Sequence, residues 1–151
     1  MHADRSPQRH RAWAALAALG ALCASCTSQQ AAEPERPVPA GEVAGIRVTD
    51  VALGTEVGLD KKVPHPTDVF RPGDTIHVSV VTEGTSSDTL LTARWLREGR
   101  ALGETAQSIA PRGSATSEFH VSRPGGFEAG EYEVEILVEG KSVQRRRFAV
   151  K

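Results

Sequence analysis

From Ile46 onward, apolar and polar residues alternate in short runs broken by Gly, Pro, Asp and Ser. A period of two predicts half-buried strands, and no window carries the three-, four- and seven-residue offsets of an amphipathic helix. Ile46 and Val48 share one phase and Val51 and Leu53 the other, which predicts a first strand with a kink. After the turn Arg71-Pro72-Gly73-Asp74, the run "TIHVSVV" sends Ile76, Val78 and Val80 inward. "LLTARWL" places Leu91, Ala93 and Trp95 on one face, and a tight turn near Glu98-Gly99 leads into "ALGETAQSI". "SEFHV" directs Phe119 and Val121 inward. In "EYEVEILV", Tyr132, Val134, Ile136 and Val138 point in and Glu131, Glu133 and Glu135 point out. "SVQRRRFAV" follows a turn at Glu139-Gly140-Lys141.

About seven short strands with turns every 8 to 15 residues predict an all-β, antiparallel β-sandwich spanning residues 43–151. The run "FEAGEYEV" resembles the tyrosine corner D-x-G-x-Y-x-C of immunoglobulin-like domains. Glu128 stands for the Asp, Gly130 and Tyr132 match, and Val134 replaces the Cys. Trp95 falls in the third main strand, where that family buries a Trp, and Val78 or Val80 would replace the other Cys. The resemblance implies an immunoglobulin-like sandwich; it implies a fold and not a function.

The last hairpin holds a conflict of phase. Phe148 and Val150 belong to one face and Val143 to the other, so a β-bulge between Val143 and Phe148 is needed to bury all three. A three-residue loop would set Glu135 opposite Arg145 and Glu133 opposite Arg147, exposed pairs contributing about 0.2–1 kcal/mol each. The run Arg145-Arg146-Arg147 then reads as a solvated edge that discourages strand addition, or as a basic strip for an acidic partner or a glycan.

Upstream of the domain the pattern changes. Residues 1–11 are basic, residues 12–22 are the apolar run "AWAALAALGAL", and small residues follow. This order is that of a secretory signal peptide, taken here as residues 1–25. Eleven apolar residues fall short of the roughly 20 that span a bilayer. Both cysteines lie at the exit, Cys23 and Cys26. Their C-x-x-C spacing lacks the strand–helix context of a redox motif and the further ligands of a zinc site. Cys23-Ala24-Ser25-Cys26 instead resembles the lipobox of bacterial lipoproteins, with Cys23 where Leu is usual. That resemblance implies cleavage before Cys26, a diacylglycerol thioether on its sulfur, and attachment to a membrane through the N-terminal lipid. Ordinary signal cleavage with a soluble secreted product is the other route.

Residues 26–42 form a Pro-, Ala-, Glu- and Gln-rich segment with almost no large apolar side chains, which predicts a disordered tether. Extended, it would reach up to roughly 50 Å. Thr27 stands where lipoproteins kept at the inner membrane commonly have Asp, so the resemblance implies the periplasmic face of an outer membrane. The chain has 18 basic and 19 acidic residues. Without Arg5, Arg9, Arg11 and Asp4 of the signal segment, 15 and 18 remain, a net charge of −3 that gives no basic field for nucleic acid.

No nucleophile motif, zinc-protease motif or phosphate loop is present, so the reading is non-catalytic and implies no cofactor. One group of side chains suggests metal chemistry. His77 and His120 both point outward on strands that are neighbours in an immunoglobulin-like topology, and with a carboxylate from Asp74 or Glu118 they would make a modest zinc or copper site. Trp95 and Phe127 are core rings or rings that stack on a sugar or peptide. The expected function is an envelope lipoprotein that presents an immunoglobulin-like domain to a protein partner or supports an envelope assembly. The interaction surface would be drawn from Phe127, Glu133, Glu135, Arg145 and Arg147 and from the loops near residues 84–88 and 123–130. The alternative is a module that binds a glycan or a metal ion at the cell envelope.

Overall fold

The computed structural model describes residues 41–151. The signal-like segment, Cys26 and nearly all of the tether lie outside the described residues. Eight strands follow one another: β1 (Ile46–Gly54), β2 (Val69–Phe70), β3 (Ile76–Gly84), β4 (Thr89–Arg97), β5 (Arg100–Ile109), β6 (Ala115–Val121), β7 (Gly130–Val138) and β8 (Lys141–Val150). They form two sheets, one ordered β1-β3-β6 and the other β2-β8-β7-β4-β5. Pairing is antiparallel throughout except for the short parallel contact of β2 with β8.

The inner faces carry the phases that the alternation assigns. Ile46, Val48, Val51, Leu53, Ile76, Val78, Val80 and Phe119 are buried from one sheet. Leu91, Ala93, Trp95, Tyr132, Val134, Ile136, Val138 and Phe148 are buried from the other. Each large apolar side chain so buried stabilises the fold by about 1.5–3 kcal/mol. The kink in β1 is a register shift between Val48 and Asp50, which leaves Thr49 as the extra residue and lets both apolar pairs face inward. Val121 is only partly buried.

One end of the core is aromatic. Tyr132 stacks on Phe148, with ring centroids 5.5 Å apart and planes 13° from parallel. Phe148 meets Trp95 and Phe70 edge-on, and Phe127 meets Tyr132 edge-on. The Tyr132 hydroxyl donates to the Glu128 carbonyl at 2.8 Å, which closes the tyrosine corner.

The β7–β8 hairpin corrects the expected loop while keeping its consequence. Val138 pairs with Lys141, so the turn is the two residues Glu139-Gly140, both at positive φ (49° and 74°). Such a turn matches the right-handed twist of the strands it joins. The pairing then slips between Ile136 and Leu137, where Val143 is the extra residue on β8. A two-residue turn plus one bulged residue yields the same offset as a three-residue loop. Glu135 therefore pairs with Arg145 and Glu133 with Arg147, while Val143 turns into the core.

Candidate functional site

The two outer faces differ in chemistry. On the three-stranded sheet, His77 of β3 is directly opposite His120 of β6, and the rings lie 5.5 Å apart. Glu118 is two residues before His120 and therefore on the same face of β6. Its Oε1 sits 2.7 Å from His77 Nδ1 and 3.3 Å from His120 Nδ1. His77 and Glu118 are each about one-fifth exposed (19% and 20%), and His120 stands out at 61%. One ligand atom from each of the three side chains can be chosen so that all lie within 4.8 Å of one another. Gln107 of β5 donates its side-chain N–H to the Glu118 carbonyl and ties down the backbone beneath the group. Asp74, the other carboxylate considered for this role, caps its own turn instead and accepts the Arg71 N–H at 2.8 Å.

On the five-stranded sheet, register places Glu104, Arg94, Glu135 and Arg145 side by side across β5, β4, β7 and β8. Charge alternates along this row, with N–O distances of 3.2, 3.4 and 2.7 Å. Glu135 points outward as its alternation requires, yet only 5% of it is exposed, because Arg94 and Arg145 cover it. Burial acts most strongly on this carboxyl and pushes its pKa up; the Ser142 hydroxyl and the Arg145 and Arg94 guanidiniums together outweigh burial, and the net position is lowered. Beside the row, Glu133 lies 3.7 Å from Arg145 and 3.6 Å from Arg147. The carboxylates sit low and the guanidiniums high: the Glu133 and Glu135 side chains are 21% and 6% exposed, those of Arg145 and Arg147 53% and 71%. Arg146 takes the inward phase and its Nε donates to the Val51 carbonyl of β1 at 3.1 Å. The three arginines thus form one wall of a cleft of about 650 Å³ between β8 and β1, with Asp50 and Asp68 also on its lining.

Of the two readings for Phe127, core ring or contact surface, the structure gives the first. Phe127 is 6% exposed and packs edge-on against Tyr132, so its ring belongs to the core. Trp95 is 3% exposed and is likewise a core ring. Its Nε1–H is buried with no hydrogen-bond partner among the described residues. Trp95 and Phe127 both border an apolar cavity of about 200 Å³ that reaches Leu102 and Arg123. The alternation predicts the inward side chains; it carries no information about this cavity, which arises where Gly103 sits opposite Trp95 without a side chain to cover it.

No family model matches the chain, and no curated protein matches it. Solved structures do. An immunoglobulin-like protein from Pseudomonas aeruginosa superposes with a TM-score of 0.50 at 14% identity, over 74% of this chain and 100% of that one. The fold is that of an immunoglobulin-like domain. An alkylpurine DNA glycosylase of Pseudomonas fluorescens bound to DNA is also similar, with a TM-score of 0.44 at 14% identity; the match covers 72% of this chain and only 31% of the glycosylase. A β-glucosidase from Listeria innocua matches at a TM-score of 0.44 and 11% identity, over 69% of this chain and 16% of the enzyme. At these identities the likeness concerns the sandwich alone.

Proposed function

We propose that the protein is a non-catalytic binding module of a bacterial cell envelope, anchored through lipid on Cys26 and facing the periplasm from the outer membrane. Its immunoglobulin-like domain engages an acidic segment of a protein partner through the arginine wall of β8. The observation that carries this reading is the vertical ordering of charge between β7 and β8. Glu133 and Glu135 hold the guanidiniums of Arg145 and Arg147 from below, so along β8 the surface an incoming partner meets is cationic, whereas at the β5 end of the row Glu104 stands out beyond Arg94. Arginines already held by carboxylates lose less side-chain entropy on binding than free ones would. Arg146 adds a third guanidinium at the cleft and its bond to the Val51 carbonyl links β8 to β1.

Crosslinking in living cells with the full-length chain, followed by affinity capture and mass spectrometry, tests both halves of the proposal. Recovery of one dominant envelope protein that is lost with Arg147→Glu, in a variant whose melting temperature is unchanged, supports the binding face. Equal recovery with Arg147→Glu and with Arg146→Glu removes β8 as the site. The N-terminal peptide from the same digest reports the anchor: a diacylglycerol mass on Cys26 supports it, and an unmodified thiol or a cleaved soluble form rules it out.

A further inference from the structure

We propose that His77, Glu118 and His120 bind one divalent transition-metal ion of the zinc and copper class, at a site on the opposite sheet from the arginine wall. Two imidazole nitrogens and one carboxylate oxygen form a borderline donor set, which favours zinc(II), copper(II) or nickel(II) over magnesium and calcium. Ligand atoms about 2.1 Å from a tetrahedral zinc are about 3.4 Å from one another. Glu118 Oε1 and His120 Nδ1 are already at 3.3 Å, and the choice of ring nitrogen brings all three ligand atoms within 4.8 Å.

Three features distinguish this group from two histidines that happen to share a surface. First, the register is direct, His77 against His120, so the ring separation is fixed by a β-ladder and not by a loop. Second, Glu118 is held on both sides: its carboxylate meets both rings, and its carbonyl accepts the Gln107 side chain from β5. Third, the exposure is graded, with His77 and Glu118 about four-fifths covered and His120 open. A metal held there would keep its fourth position toward solvent on the His120 side, where water or an oxygen or nitrogen ligand from a second molecule could complete the shell.

The test is calorimetric titration of the untagged full-length chain with zinc chloride and with copper(II) chloride, alongside electron paramagnetic resonance of the copper form. One equivalent per chain is expected, with the copper form showing hyperfine coupling to two imidazole nitrogens. His120→Gln, at a half-exposed position that the fold tolerates, and Glu118→Gln should each weaken binding at least tenfold. His120→Gln should also remove one nitrogen from the copper spectrum, a change that altered folding would not mimic. His65→Gln, in the loop between β1 and β2, should leave affinity as it is. Absence of binding below millimolar metal overturns the proposal. So does a binding isotherm that His120→Gln and Glu118→Gln do not alter, or a stoichiometry of one metal per two chains.

Discussion

Arg145 donates twice to the same oxygen of Glu135, from Nε at 3.1 Å and from a terminal nitrogen at 2.7 Å, directly across the β7–β8 ladder. With Arg94 on its other side, Glu135 is a nearly buried carboxylate between two cations. Its pKa is lowered in the folded chain, so the sign follows from linkage. The stabilisation is fully present above the unfolded value of about 4.3 and is lost as pH falls through the lower folded value. Glu135→Gln should cost about 1–2 kcal/mol near neutral pH, since the two arginines it leaves can hydrate. Urea unfolding should show the gap between Glu135→Gln and the unaltered protein narrowing as pH falls below the unfolded value of about 4.3. A gap that stays constant through the acid range would mean packing, not charge, is what Glu135 supplies.

The neighbouring pair should behave differently. Arg147 is 71% exposed and lies 3.6 Å from Glu133, so screening by water removes most of its contribution. Arg147→Ala should change stability by no more than about 0.5 kcal/mol. Arg145→Ala should cost more than about 1 kcal/mol, because it uncovers a carboxylate that has little access to water. Chemical denaturation of the two variants side by side decides between them, and equal costs would refute the distinction drawn from burial.

Much of the fold was legible because the sandwich repeats one simple rule. Wherever a strand had four or more residues of alternation, as in β3, β4 and β7, the inward set was read correctly, and the phase breaks at Val48/Val51 and at Val143 marked real bulges. β2 was not legible: Val69 and Phe70 are two residues among Pro and Asp, too short to show a period, although Phe70 is fully buried. The outward direction of His77 and His120 also followed from alternation, but the identity of the carboxylate did not. Asp74 is nearer His77 in sequence, yet the β3–β6 register selects Glu118. Glu135 shows the same limit. Alternation gives the face, but its burial depends on Arg94, which only the β4–β7 pairing brings alongside.

Two glycines at positive φ should respond unequally to alanine. Gly84, at φ +130°, has no room: a Cβ there would lie 2.0 Å from the Gly45 carbonyl oxygen. Gly99, at φ +76° in the β4–β5 turn, has nothing within 4 Å of the same position. Gly99→Ala should cost about 1–2 kcal/mol, the conformational penalty alone. Gly84→Ala adds a backbone clash and should cost more than about 3 kcal/mol. Thermal melts read by circular dichroism would expose an error if Gly84→Ala proved the milder change.

The Tyr132 hydroxyl and the Tyr132 ring have separable roles. Tyr132→Phe removes only the bond to the Glu128 carbonyl, which lies on an exposed residue and can be rehydrated, so the expected loss is about 1 kcal/mol. Tyr132→Ala also removes the stack on Phe148 and the edge contact with Phe127 and should cost about 3–5 kcal/mol. Equilibrium unfolding of both variants would contradict this division if Tyr132→Phe lost as much as Tyr132→Ala.

Deletion of Val143 tests whether the bulge is the device that reconciles the hairpin. Without Val143, the two-residue turn at Glu139-Gly140 would continue into an unbroken ladder. Gln144 would still oppose Ile136, Arg145 would still oppose Glu135, and Phe148 would still oppose Tyr132, because only the extra residue is gone. The chain should therefore fold with its aromatic end and charge row intact. It should be less stable by about 1.5–3 kcal/mol, the burial of one valine that is 3% exposed in the intact chain. Deleting Gln144 instead leaves Val143 in the ladder on the inward phase, so the core keeps its valine and loses the polar residue. That variant should be at least as stable as the Val143 deletion. If both deletions abolish folding, the local twist that the bulge gives β8 is what the sandwich requires, and the inward turn of Val143 is secondary to it.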